Sequence, residues 1–243
     1  PTLSLADAAA PPDDVDAWIT WDPAPALADF DAGGDGVWAE TGLLASGPLR
    51  LLGTAPDLDV ACGTEPPWTC LQEAAEAGQA IGVGDPTTAE GLARLLPVAR
   101  TYATDDDPAT LDAAGLRALI ESPVGGQRDA RRMARSLATA PGRLSLVVGP
   151  GDVLASEAQS AQGRARALLV ASPSPTTRAS IVAAGRRSGQ TDEIAEAVCD
   201  RDTGSMTEVQ AILSGVGATT FCEGELATDQ LAGFLYQVRE KVS

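Results

Sequence analysis

The sequence predicts an α/β protein with mostly parallel sheet and helices on both faces, and three observations carry that prediction. Short continuous apolar runs, such as Leu144 to Val148 and Ala167 to Ala171, read as strands buried on both faces. Between them lie segments with apolar residues at three- and four-residue steps, the period of amphipathic helices. The chain has 243 residues, 44% of them hydrophobic, so it can bury the core of one large domain or of two lobes of ordinary size. In such folds ligand sites lie beyond the carboxyl ends of strands.

In chain order, residues 8 to 14, rich in Ala, Pro and Asp, read as a flexible lead-in. Val15 to Trp21 is the first strand, ended by the Asp22-Pro23 turn, with a short helix over Pro25 to Phe30. Trp18 and Trp21 have opposite strand parity, so one is expected in the core and the other exposed or facing a cleft; Trp18 is assigned to the core. Leu49 to Gly53 is a second strand. A loop rich in Asp, Gly and Pro runs to Pro67, and Trp68 to Ala77 is a short helix with acids outward.

Ile81 to Gly84 is an apolar run leading into the Asp85-Pro86 turn. Thr87 with Glu90 then fits a capping box, in which hydroxyl and carboxylate satisfy each other's free backbone N–H groups. The helix runs to about Tyr102. Its uncovered N–H groups favour an oxyanion or polar head group; an ordinary capped helix is the plain alternative. Helices follow over Pro108 to Glu121 and Gln127 to Leu137. Arg128, Arg131, Arg132 and Arg135 form one face of the latter, expected to pair with nearby acids at the surface. After the strand ending at Val148, Val153 to Gln159 is helical, with Ser156 read as a cap and Glu157 as a solvated acid. Pro173 and Pro175 break the chain beyond Ala171. Thr177 to Arg187, Thr191 to Asp200, Glu208 to Leu213 and Thr228 to Val242 are all expected as helices. Asp22, Asp85 and Ser156 follow predicted strands and are candidate ligand contacts.

The formal net charge of -17 excludes a nucleic-acid partner, which would need clustered Lys and Arg. There is no histidine, which removes Ser-His-Asp and Cys-His catalysis and His-ligated zinc. No cofactor, metal site or catalytic residue is expected. Four cysteines, Cys62, Cys70, Cys199 and Cys222, without a CxxC motif point to two disulfides and an oxidising compartment; four free buried thiols are the alternative. Of three possible pairings, local closure is expected, Cys62 with Cys70 and Cys199 with Cys222. No apolar run approaches the roughly twenty residues of a membrane span. The chain opens Pro1-Thr2-Leu3-Ser4 without an initiator Met, which reads as a processed or truncated chain whose targeting segment, if any, lies upstream; a membrane anchor or further domain outside it stays open.

Several segments together resemble the type II periplasmic solute-binding proteins, in particular the extracellular solute-binding domains of actinobacterial proteins that often accompany a von Willebrand type A domain. They are Asp14-Val15-Asp16-Ala17-Trp18-Ile19-Thr20, Ser46-Gly47-Pro48-Leu49-Arg50-Leu51-Leu52, Trp68-Thr69-Cys70-Leu71 and Ile81-Gly82-Val83-Gly84-Asp85-Pro86-Thr87-Thr88-Ala89-Glu90-Gly91-Leu92. Leu146 to Glu157 and Ala167 to Pro173 complete the set. The resemblance implies two lobes, residues 1–50 with 169–243 and residues 51–168. Thr20, Trp21 and Asp22 would line the first lobe's side of the cleft, Thr87 and Thr88 would face them, and Ser46 would stand where the hinge begins. The first lobe is expected to be short, with Thr2 to Ala6 supplying at most one strand. The implied function is an exported, non-enzymatic module closing on a small polar solute. The alternative is an extracellular sensor or assembly domain that keeps the fold and works through a protein partner, such as a membrane protein.

Overall fold

Apolar strands and amphipathic helices alternate along most of the chain in the computed structural model. It describes residues 15–33, 36, 38, 40–63, 66–121, 129–140, 142–161, 167–186, 189–199, 208–224, 226 and 228–242. The lead-in at 8–14, the strand expected over Thr2 to Ala6, and Arg128 lie outside them. In order the elements are β1 (Ala17–Trp21), α1 (Ala24–Asp31), β2 (Glu40–Thr54), α2 (Ala55–Ala61), α3 (Cys70–Glu76), β3 (Ile81–Gly82), α4 (Ala89–Thr101), a 3-10 turn (Pro108–Thr110), α5 (Ala113–Ile120) and α6 (Ala130–Thr139). Then follow β4 (Leu146–Pro150), α7 (Gly151–Ala161), β5 (Leu168–Ala171), β6 (Arg178–Gly185), α8 (Gln190–Cys199), α9 (Glu208–Gly215), β7 (Thr220–Phe221) and α10 (Asp229–Val242).

The α/β architecture holds, with one correction to the sheet. β2 pairs antiparallel with β6, β7, β4 and β5, and β1 pairs antiparallel with β6; among the described strands β3 with β4 is the parallel pair. A continuous apolar run reports burial on both faces, not strand direction, which is why the expectation of mostly parallel pairing fails. Both faces are indeed buried. On β4, Leu146 and Val148 join the core built around Leu92, Leu95 and Val98 of α4, while Val147 packs with Met133 and Leu137 of α6 and Leu154 of α7. Leu51 and Leu52 of β2 divide between the same two clusters.

A second correction concerns residues 177–187, expected as helix. Arg178–Gly185 form β6, hydrogen-bonded between β1 and β2 and buried from Ala179 to Gly185, and Arg187 lies outside the described residues. Ile181-Val182-Ala183-Ala184 is apolar at every position and therefore satisfies helical spacing as readily as a strand; burial on both faces and the β-branched pair Ile181-Val182 decide. β2 is also far longer than the expected Leu49 to Gly53, because its first half pairs with β6. Trp18 and Trp21 are both core, 4% and 2% exposed. Parity cannot separate them when both faces of β1 are covered.

The two disulfides close locally, Cys62 to Cys70 and Cys199 to Cys222, with Cα separations of 5.0 and 5.8 Å. The first ties the end of α2 to the start of α3, the second the end of α8 to the residue after β7. Among the described residues no helix is long and apolar enough to cross a membrane.

Candidate functional site

Asp22 follows β1 directly, and its N–H donates to Ser180 O (2.9 Å), which fixes the strand end against β6. The segment preceding β6 is held from outside. Ser174 N donates to Pro66 O (2.8 Å), Trp68 Nε1 donates to Pro175 O (3.1 Å), and Arg50 donates to the Ser172 hydroxyl. Arg178 then turns its guanidinium toward β2 and β7, donating to Ser46 Oγ (3.0 Å) and Thr220 Oγ1 (2.7 Å). The fully buried Ser46 hydroxyl donates in turn to Glu223 O (2.7 Å).

These anchored residues form one wall of a cavity of about 620 Å³, within the range of small-molecule sites. Asp22, Thr176, Thr177, Arg178 and Ser180 supply its polar side, and Ala93, Leu96, Pro97 and Arg100 of α4 face them. Leu226 and Leu231 contribute further apolar surface. Arg100 is steadied by donating to Asp106 Oδ1 (2.7 Å). The space can therefore hold a small molecule between an acid and two arginines, with hydroxyls beside an apolar floor.

Of the residues expected at a site, Asp22 lines this cavity. Thr20 is fully buried on β1, and the buried Trp21 presents no aromatic wall. Ser46 stands behind the wall, positioning Arg178. Asp85, Thr87 and Thr88 sit at the opposite end of α4 from Arg100. There Thr87 N and Oγ1 both donate to Asp85 Oδ1 (2.8 and 2.6 Å), leaving Thr87 exposed. Thr88, not Thr87, caps α4: its hydroxyl accepts from Gly91 N (3.1 Å). The expected capping box is thus displaced by one residue, because the Asp85 carboxylate captures Thr87. Glu90 instead accepts from Ala130 N (3.2 Å) at the start of α6.

Ser156 is exposed in the middle of α7 and caps nothing. Its neighbour Glu157, expected as a solvated acid, is 8% exposed and accepts from Arg135 Nε and Nη2 (3.0 and 3.1 Å), with Arg131 at 3.8 Å. These contacts lock α6 to α7 and, with direct bonding to Glu157 foremost, raise the pKa of Arg135. The expected pairing of the arginine face holds for Arg131, Arg132 and Arg135.

Sequence reasoning missed Arg178, Thr177, Ser180 and Arg100. The first three lie in the segment mistaken for helix; the signal available was Thr-Thr-Arg directly after a proline break. It also missed that Arg94 is fully buried, donating to Val148 O (3.3 Å) and Glu90 O (3.4 Å). Among the described residues no three Asp, Glu, Cys or His side chains converge as a set that could hold a metal ion.

No protein-family model matches the chain, and no curated protein matches its sequence. Solved structures do. The chain is similar to ferric iron-binding protein A of Mannheimia haemolytica in an open conformation, with TM-score 0.56 and 12% identity over 94% of this chain and 81% of that one. A Bordetella ferric binding protein gives TM-score 0.55 and 14% identity over 94% and 82%. The ferric binding protein from Campylobacter jejuni gives 0.54 and 14% over 95% and 83%. At such identities the likeness is one of fold. This chain is an α/β protein whose mixed sheet and flanking helices follow the periplasmic-binding-protein fold.

Proposed function

We propose that the chain is an exported, non-enzymatic solute-binding domain that takes a small polar ligand between two lobes, residues 1–50 with 169–243 and residues 51–168. The carrying observation is the cavity of about 620 Å³, whose two walls, Asp22 to Arg178 and α4, belong to different lobes in this division. Asp22 is the contact retained from the sequence reading, joined by Thr177, Ser180, Arg178 and Arg100. Ser46 positions Arg178 rather than touching the ligand, and Asp85, Thr87 and Thr88 shape the far end of α4. Each arginine is already held by its own partners, Arg178 by Ser46 and Thr220 and Arg100 by Asp106, which suits a preorganised binding rim.

The similar structures carry ferric ion in their names; for this chain we propose no metal. A hard trivalent cation calls for several converging oxygen donors, and Asp22 is the carboxylate on this wall. Two disulfides support an oxidising, extracellular or cell-surface setting. The resemblance to domains that accompany a von Willebrand type A domain supports a membrane-protein partner, reached through an anchor or further domain.

The test is a thermal-shift screen of the oxidised protein against amino acids, sugars, oxyanions and polyamines. A ligand at a hundred times its Kd stabilises the native state by about 2.7 kcal/mol. One chemical class should raise Tm, and Asp22→Asn with Thr177→Ala should remove that rise. Silence across the panel would overturn the reading in favour of a ligandless sensor or assembly domain.

A further inference from the structure

A different cavity, of about 570 Å³, lies at the start of β3, the opposite end of that strand from the Gly84 to Thr88 loop. It is enclosed by α3, the Gly78 to Ala80 turn, the end of α4 at Tyr102, and α5. The wall includes two buried apolar side chains, Ile81 and Leu119.

The polar groups it offers a ligand are the Tyr102 hydroxyl and two carboxylates. Tyr102 is 8% exposed, and its hydroxyl makes no hydrogen bond to the described residues. The ring lies where a Cβ on residue 115 would come within 3.0 Å, so Gly115 leaves room for it. Burial first, then the charges of Asp112 and Glu76, push Tyr102 up to about 12, which keeps the phenol protonated. One oxygen of Asp112 accepts from Gly115 N (3.0 Å), and Glu76 stands exposed at the rim.

The phenol oxygen has no partner among the described residues, and the Asp112 and Glu76 carboxylates add negative potential around it. What fits is a donor-rich cation with an apolar stem. We propose that this cavity binds an alkylguanidinium or alkylammonium group, with Tyr102 and the Asp112 and Glu76 carboxylates around the charged head and Ile81 and Leu119 against the stem. The formal charge of -17 raises the local concentration of such cations. The group can belong to a free small cation or to a basic side chain of a protein partner. The site is separate from the cavity that Asp22 lines.

The experiment is calorimetric titration of the full chain with n-butylguanidinium, against uncharged butyramide, in wild type, Glu76→Gln, Tyr102→Phe and Asp22→Asn. Both Glu76 and Tyr102 substitutions preserve shape, and circular dichroism checks folding. Butylguanidinium should bind saturably and butyramide should not. Glu76→Gln and Tyr102→Phe should each weaken binding about tenfold, the scale of one lost charge-assisted contact, and Asp22→Asn should leave it unchanged. An arginine-ended peptide binding much tighter than butylguanidinium would identify a protein side chain as the source, and equal binding a free cation. No saturable binding, or binding indifferent to Glu76→Gln and Tyr102→Phe, would overturn the proposal.

Discussion

Arg94 has no solvent exposure, yet it carries a full charge between α4, β4 and the turn that follows β3. Burying a guanidinium is costly unless its donors and its charge are met. Here Glu90 lies 3.5 Å away on the same helix and the carbonyls of Val148 and Glu90 accept from it. Glu90 in turn accepts from Ala130 N, so one ion pair joins α4, α6 and β4. Gly84 completes the arrangement: at φ +122 it adopts a backbone conformation L side chains rarely take, and a Cβ there would stand 2.5 Å from Arg94 Nη2. Arg94→Met should therefore cost about 3–5 kcal/mol, since it removes the countercharge of Glu90 and the donor to the Val148 carbonyl. Urea denaturation at neutral pH measures it. A loss below about 1 kcal/mol, the value of a surface pair, would mean the pair is solvated in solution. The sequence displays Glu90 and Arg94 four apart, which reads as an ordinary surface pair; their burial depends on β4 and α6, more than thirty residues distant.

Elements defined by local chemistry were legible, and those defined by distant pairing were not. α4, α6 and α10 carry their own periodicity and, for the first two, a capping side chain in Thr88 and Asp129, so their existence and approximate bounds follow from the sequence. Cap identity was off by one at α4 because Asp85 competes for Thr87, a contest among three adjacent hydroxyl and carboxyl groups that spacing alone does not resolve. β6 was illegible because an all-apolar run fits both periods, and the cavity wall at Thr177 to Ser180 was lost with it. The disulfides are elements of the same local kind. They enclose sequence separations of 8 and 23 residues. Loop-closure entropy then assigns about 2.5 kcal/mol to Cys62–Cys70 and about 3.4 kcal/mol to Cys199–Cys222. Replacing Cys199 and Cys222 by serine should lower the denaturation midpoint more than replacing Cys62 and Cys70. The reverse order would show that native-state contacts, rather than the unfolded chain, govern their contribution.

At the scale of the molecule, β2 is the strand that runs through both of the proposed lobes. From Glu40 to Pro48 it pairs with β6, and from Leu49 to Gly53 it pairs with β4, so its partners change within one strand. Around the change, Ser46 and Arg178 bind each other, and Gly47 approaches so closely that a Cβ would lie 2.1 Å from Gly217 O. Pairing is thus firm on either side, and the two-lobe division we propose puts its bending at Pro48 and Leu49 and where the chain returns between β5 and β6. In the proposed function, a ligand that contacts both Asp22 and α4 would gain more from a closed arrangement than from an open one and so would shift the population toward closure. A compact body of 243 residues has a radius of gyration of about 18 Å. Small-angle scattering of the unliganded chain should give a larger value, and saturation with the solute found by thermal shift should bring it toward that figure. Asp22→Asn, which removes the contact on one side, should leave the radius at its unliganded value under the same conditions. A radius unchanged by a ligand that does raise Tm would locate binding within one lobe and reject the hinge, while leaving solute binding itself intact.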